Sequence, residues 1–196
     1  MLRVAFVMMQ KDEEFLLAPW IEYHGNLFGY ENLFIFDNGS LKSSVLQILE
    51  KYENLGVHVD RTKNSREDYL NKGKVVGNLI NNLDKTDYYD FFFPTDCDEF
   101  LALRTDWGFS CSRDEIFNEI QKYLNEPKTL KIPFQIANHP KMKDFYYYFT
   151  FHKTFFARNT FGSTDHGHHL PGSRKAEPLQ SIPKTRPCSA WAVRLI

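Results

Sequence analysis

Residues 2–9 form an apolar run broken only by Arg3. A strand with one wet face alternates apolar and polar residues. A run without alternation belongs to a strand covered on both faces, as in a parallel sheet packed between helices. The run is too short for a bilayer span, which takes about 20 apolar residues, and no small-residue cleavage site follows it. It therefore reads as a buried first strand.

The chain then alternates. Phe15, Leu16, Trp20, His24, Leu27 and Phe28 recur at helical spacing, and Gly29 stands where a helix stops. Residues 33–36 read as a second buried strand, ended by the turn chemistry of Asp37-Asn38-Gly39-Ser40. Val45, Leu46, Ile48, Leu49 and Tyr52 mark a second helix, and residues 57–59 a short third strand. Residues 66–84 read as one helix with Tyr69, Val76, Leu79, Ile80 and Leu83 on one side; residues 88–93 read as a fourth strand. This order predicts an α/β fold with a mostly parallel sheet flanked by helices. After about residue 105 the pattern changes. Ser112 and Glu115 have the spacing of a capping box, and residues 129–136 and 145–156 read as strands with no helix between them. A mixed or antiparallel C-terminal extension is expected. Four of the nine prolines fall in the last 26 residues, so that tail is expected to be irregular.

Length and charge narrow the function. A chain of 196 residues is one ordinary domain. Lys+Arg number 24 against 25 Asp+Glu, so there is no basic footprint for nucleic acid. Three cysteines without a CxxC argue against a disulfide framework or a four-thiolate zinc site and fit a reducing, cytoplasmic setting. No transmembrane segment is expected, while peripheral contact at the inner face of a membrane stays open.

Asp96-Cys97-Asp98-Glu99 is the strongest local signal. Three carboxylates follow an aromatic strand, and in open α/β sheets ligands bind at the carboxyl ends of strands. There they suit Mg²⁺ or Mn²⁺, held by one or two carboxylates together with phosphate oxygens. The plainer reading is a solvated acidic turn. Asp37 would lie on the same sheet edge, placed to accept from a base N–H or a ribose hydroxyl, unless it only closes a turn. Thr164-Asp165-His166-Gly167-His168-His169 gathers three of seven histidines. The cramped spacing disfavours zinc; one His completing a metal–diphosphate site, and Asp165 as a general base, are the functional readings. Lys11, Asp12, Glu13 and Glu14 follow the first strand, where the plain reading is a charged helix start. Arg66, Lys72 and Lys74 flank the third helix, facing either a phosphate or solvent. The aromatic run at 145–151 reads as a core strand before a sugar-stacking platform. Glycine-rich dinucleotide and phosphate loops, HExxH and GxSxG are all absent from the sequence.

In order, Lys11-x-Glu13, Trp20, His24, Gly29, Phe34-x-x-Asp37-Asn38-Gly39-Ser40 and Asp96-x-Asp98-Glu99-Phe100 resemble the family-2-like glycosyltransferases of the GT-A fold. The likeness is to a bacterial branch related to the family-92-type transferases. It covers residues 3–103 well and residues 152–169 more loosely. The resemblance implies a single GT-A-like domain, with residues 1–103 binding the nucleotide sugar and residues 104–196 forming the acceptor half and tail. It implies a metal-dependent, inverting hexosyltransferase of glycan assembly. The donor would be a nucleotide-diphosphate sugar, UDP-linked, and the acceptor a glycan or lipid-linked sugar. Lys11, Glu13, Asp37, Lys74 and Asp96 would contact the donor. Asp96 and Asp98, the DxD pair, would hold Mn²⁺ or Mg²⁺, with His168 or His169 adding a contact. Asp165 would be the general base, with Glu99 as the alternative. Asp12 departs from the family's asparagine, and Trp191 stands where the family has a histidine.

Three other readings compete. A haloacid-type phosphohydrolase places its DxD after the first strand, unlike this one. A sugar nucleotidyltransferase begins with a glycine-rich basic loop, where this chain has Met8-Met9-Gln10-Lys11-Asp12. A degenerate, non-catalytic nucleotide- or glycan-binding module of the same fold is the third.

Overall fold

The computed structural model describes residues 2–86, 88–105, 108–124, 129–132, 135–139, 142–149, 153–168, 171–173 and 190–194. Its first half alternates as expected: β1 (Val4–Gln10), α1 (Leu17–Phe28), β2 (Leu33–Asp37), α2 (Ser43–Glu53), β3 (His58–Asp60), α3 (Arg66–Leu70), α4 (Lys72–Asp84) and β4 (Phe91–Pro94). Next come β5 (Glu99–Thr105), β6 (Gly108–Ser110), α5 (Arg113–Gln121), β7 (Thr129–Ile132), β8 (Gln135–His139), β9 (Met142–Phe149), β10 (Lys153–Ala157), β11 (Phe161–Thr164), β12 (Pro171–Ser173) and β13 (Ala190–Arg194).

The main sheet runs β3-β2-β1-β4-β10-β7. Its first four strands are parallel, and β10 and β7 join antiparallel. All seven residues of β1 are buried. Their alternation is one of faces, not of polarity. Val4, Phe6 and Met8 pack under α1, α2 and α5, while Ala5, Val7 and Met9 pack with Val75, Val76 and Ile80 of α4 and with Phe161. The fold is therefore α/β, with a mostly parallel central sheet covered by helices on both faces.

Elsewhere the details differ from the sequence reading. The helix expected over 66–84 is two helices that break at Asn71 (φ −98°, ψ 21°). Tyr69 consequently falls on the short first piece and is exposed, as are Phe15, just before α1, and Leu46. The capping box forms at Ser65 and Asp68; at α5 Ser112 is the N-cap but makes no side-chain cap bond. The tail is not wholly irregular. β13 pairs antiparallel with β5 and parallel with β8, at the centre of a mixed sheet ordered β6-β5-β13-β8-β9. The side chains of residues 145–151 lie outside what the structure describes. No helix among the described residues is long and apolar enough to cross a membrane.

The connection from β3 to β4 carries the chain past β1. β2 and β3 lie on one side of β1 and β4 on the other. The sheet thus reverses direction between β1 and β4, and the crevice beyond their carboxyl ends is the natural ligand position in such a fold. His24 braces it from below. Its Nδ1–H donates to the Trp20 carbonyl (3.0 Å), and its Nε2 accepts from the Leu101 N–H (3.5 Å), tying α1 to β5. The ring is wholly buried between Phe6 and Trp20. Burial lowers its pKa from 6.5 to about 3, against the opposing pull of the Trp20 carbonyl. The folded state holds the neutral ring, so this stabilisation is complete above pH 6.5 and is lost as pH falls towards 3. Between pH 7.5 and 5.0 this amounts to about 2 kcal/mol. Urea unfolding of the native chain and of His24→Gln at the two pH values should show that much smaller a drop in the variant.

Candidate functional site

The loops leaving β1 and β2 are joined by side chains. Asp37 Oδ1 accepts from Gln10 Nε2 (2.8 Å), Ser40 N (3.2 Å) and Ser40 Oγ (2.5 Å). Ser40 Oγ accepts the Asp12 N–H, and Asp12 Oδ1 accepts the N–H groups of Leu41 and Lys42. Asn38 Nδ2 reaches the carbonyls of Lys63 and Ser65. Gly39 takes φ +76°, and a Cβ there would stand 3.1 Å from the Asn64 carbonyl. The Asp37-Asn38-Gly39-Ser40 motif is thus a clasp binding the exits of β1, β2 and β3 together. Asp37 is itself buried.

Beyond β4 lies a charged cluster. Lys153 Nζ stands 2.9 Å from Asp96 Oδ2, 2.9 Å from Glu99 Oε2 and 2.7 Å from the Gly167 carbonyl. Lys72 Nζ stands 2.5 Å from Asp96 Oδ1. The Asp96 N–H donates to Glu99 Oε2 (2.9 Å). Both lysine side chains are under a tenth exposed, and Glu99 is as deeply buried, whereas Asp96 keeps 26% of its side-chain surface. Burial pushes both carboxyls up. At Asp96 the ammonium groups of Lys153 and Lys72 outweigh burial and hold it below the carboxylate range; at Glu99 burial wins and lifts it to about 7. Lys153 is raised, because Glu99 and Asp96 outweigh its burial. Burial, with Glu13, Asp98 and Asp96 nearby, raises the Cys97 thiol and keeps it protonated.

Other candidates scatter. Asp96, Asp98 and Glu99 bring ligand oxygens within 4.8 Å of one another; no histidine belongs to this or any other such group among the described residues. His168 is wholly buried at φ +59°, and its ring Nδ1 faces Thr164 Oγ1 (3.3 Å). Its carbonyl accepts from Thr154 N and Oγ1. His169 and His152 lie outside the described residues. Lys11 is exposed, and Glu13 is half-buried with its N–H donated to Gln10 Oε1. Lys74 lines a groove of about 410 Å³ with Asp60, Lys63, Ser65 and Asn71. Asp165 sits half-buried on the loop after β11. A small cavity of about 10 Å³ lined in part by Glu99 and Lys153 has room for about one water and for no substrate.

Lys72 and Lys153 stand at Asp96, where the sequence points to Lys74. A signal for Lys72 existed: it shares the four-residue stripe of Val76, Ile80 and Asp84, all buried. For Lys153 the signal was a cation opening a strand in which every residue is buried.

The carboxylates suit a divalent cation in spacing, but two ammonium groups already occupy Asp96 and Glu99. Three carboxylates alone would offer −3. With Lys72 and Lys153 among them the five groups sum to −1, and to zero when Glu99 is protonated. A Mg²⁺ bound to Asp96 Oδ1 at about 2.1 Å would stand within about 4.6 Å of the Lys72 ammonium. As arranged, the site does not fit the metal.

No family model matches the sequence, and no curated protein matches it. Solved structures align loosely. S. aureus TarS 1–349 gives a TM-score of 0.43 at 15% identity, over 70% of this chain and 35% of that one. The same TarS fragment in complex with UDP gives 0.38 at 14%, over 74% and 37%. A cytidylyltransferase from Leptospira borgpetersenii serovar Hardjo-bovis gives 0.39 at 12%, over 80% and 61%. The chain spans less than two thirds of each, and likeness at this level carries no residue correspondence.

The loop with Asp165 is pressed against the start of α4. A Cβ on Gly73 would meet the Thr164 carbonyl oxygen at 2.4 Å and the Asp165 carbonyl at 2.8 Å. Alanine gains about 1 kcal/mol over glycine inside a helix. Gly73→Ala should nonetheless lower the thermal midpoint, because backbone cannot yield as a flexible side chain does. A higher midpoint would show that the loop does not rest on α4.

Proposed function

We propose that the chain is a nucleotide-sugar-dependent glycosyltransferase domain of GT-A type. The observation that carries this is the carboxylate–lysine cluster just beyond the carboxyl end of β4, at the reversal point of the sheet. The sequence likeness around Asp37 and Asp96 supports the same reading. The substrate is a sugar linked to a nucleoside diphosphate, with UDP as the expected carrier, and the acceptor is a glycan or lipid-linked hydroxyl.

In this reading the bond between the anomeric carbon and the phosphate oxygen breaks, and its electron pair leaves with the nucleoside diphosphate. The acceptor oxygen bonds to the opposite face of that carbon, inverting it. The acceptor proton passes to the Asp165 carboxylate. Cationic groups near the β4 exit stabilise charge on the departing diphosphate. Glu99 is too deeply buried to meet an acceptor and acts by holding Lys153 and the Asp96 N–H. Asp37 shapes the nucleotide end of the crevice through the loops it clasps. The alternative is a binding module of the same fold that holds nucleotide or glycan without turnover.

The experiment is a screen of nucleotide sugars with mixed glycan acceptors, read by nucleotide release and product mass. One donor should be consumed. Asp165→Asn should cut kcat at least a hundredfold with little change in donor affinity. Donor binding without turnover by the native chain would favour the binding module. Absence of binding by every nucleotide would remove the reading altogether.

A further inference from the structure

The occupation of the carboxylates by two ammonium groups has a direct chemical reading, which rests on the function proposed above. We infer that the donor's diphosphate is held by the ammonium group of Lys72, exchanged from Asp96, and that this binding needs no divalent cation.

The two lysines differ in what they have left to give. An ammonium has three donors. Lys153 directs its three at Asp96, Glu99 and the Gly167 carbonyl, so it is a pin between the carboxylate turn and the 164–168 loop. Among the described residues Lys72 bonds to Asp96 Oδ1. It is the first residue of α4, a thirteen-residue helix whose N-cap, Asn71, makes no capping bond because its side chain turns back to the Glu67 carbonyl. An anion beside Lys72 would therefore also meet the positive end of that helix.

Exposure gives the direction of exchange. Lys72 is 7% exposed and Asp96 26%, so the carboxylate is the solvent-facing half of the pair. An entering anion meets Asp96 first and competes with it for the ammonium behind. On the far side Lys153 retains Glu99 and can keep Asp96 Oδ2, so one carboxylate oxygen can be replaced without dismantling the cluster. Gly73 confines the place, because without a side chain there the Thr164–Asp165 backbone closes over the start of α4. A diphosphate is the class of ligand that suits one available buried ammonium at a helix start. A dication at Asp96 would first have to displace the two ammonium groups that already hold its oxygens.

The test is calorimetry on the full chain with inorganic pyrophosphate and with a panel of nucleoside diphosphates, in EDTA and in Mn²⁺. The expected result is binding of equal affinity in both buffers. Lys72→Met should weaken it at least tenfold. Asp96→Asn should strengthen it severalfold, since it removes the internal competitor; a metal-bridged diphosphate requires the opposite sign. Thermal melts of both variants accompany the titrations. If either fails to fold, the two buffers with the native chain still decide. Binding seen only with Mn²⁺, or lost in Asp96→Asn, overturns the inference and leaves the transferase reading standing. Absence of binding by any nucleotide in either buffer overturns that reading and this one together.

Discussion

A buried ammonium group must be surrounded by acceptors or it does not stay charged, and Lys153 is the clearest case in this fold. Its three partners come from three places in the chain: the turn after β4, the first residue of β5, and the loop after β11. One side chain therefore fastens the antiparallel second half to the parallel first half at the level of the sheet's carboxyl edge. Removing one member of such a buried set costs about 3–5 kcal/mol, mostly by stranding the charge that remains. The cluster is a structural necessity before it is a functional one. Any ligand that uses it has to exchange one partner for another and cannot simply add a charge.

The sheet supplies the frame in which this exchange is possible. β1 is buried on both faces and sits between β2 and β4, so its carboxyl end is fixed from every side. The aromatic stack of Phe6 on Phe93, and of Phe93 on Phe155, continues from β1 through β4 to β10, which carries Lys153 at its first position. The position of the lysine is set by apolar packing that crosses three neighbouring strands of the sheet.

The parallel half was legible because its signals are local. Apolar runs gave β1, β2 and β4, helical spacing gave α1 and α2, and Gly29 marked the end of α1 with φ +95°. What local signals could not give was partnership. Asp96 and Lys153 are 57 residues apart, and neither strand's pattern names the other. Asp37 at the end of β2 is legible as a carboxylate at a strand exit, but its partner Gln10, 27 residues away, is not. His24 belonged to the family-like signature, and its hydrogen bonds show a brace between α1 and β5. The break at Asn71 escaped notice because periodicity continues across it, yet it turns Lys72 inward. Proline content hid β13, since strand pairing over five residues needs no more than a short run such as Ala190–Arg194.

The clasp around Asp37, Asn38 and Ser40 has a bearing on affinity. Three loops that would otherwise be independent are cross-linked by hydrogen bonds within the folded chain. Ordering loops at the moment of binding subtracts conformational entropy from the free energy of association. Here that ordering belongs to folding, so a ligand arriving at the β1–β2 side meets a wall already set in shape. The two sides of the crevice then differ in kind: one is rigid and selects by fit, the other trades ionic partners and selects by charge.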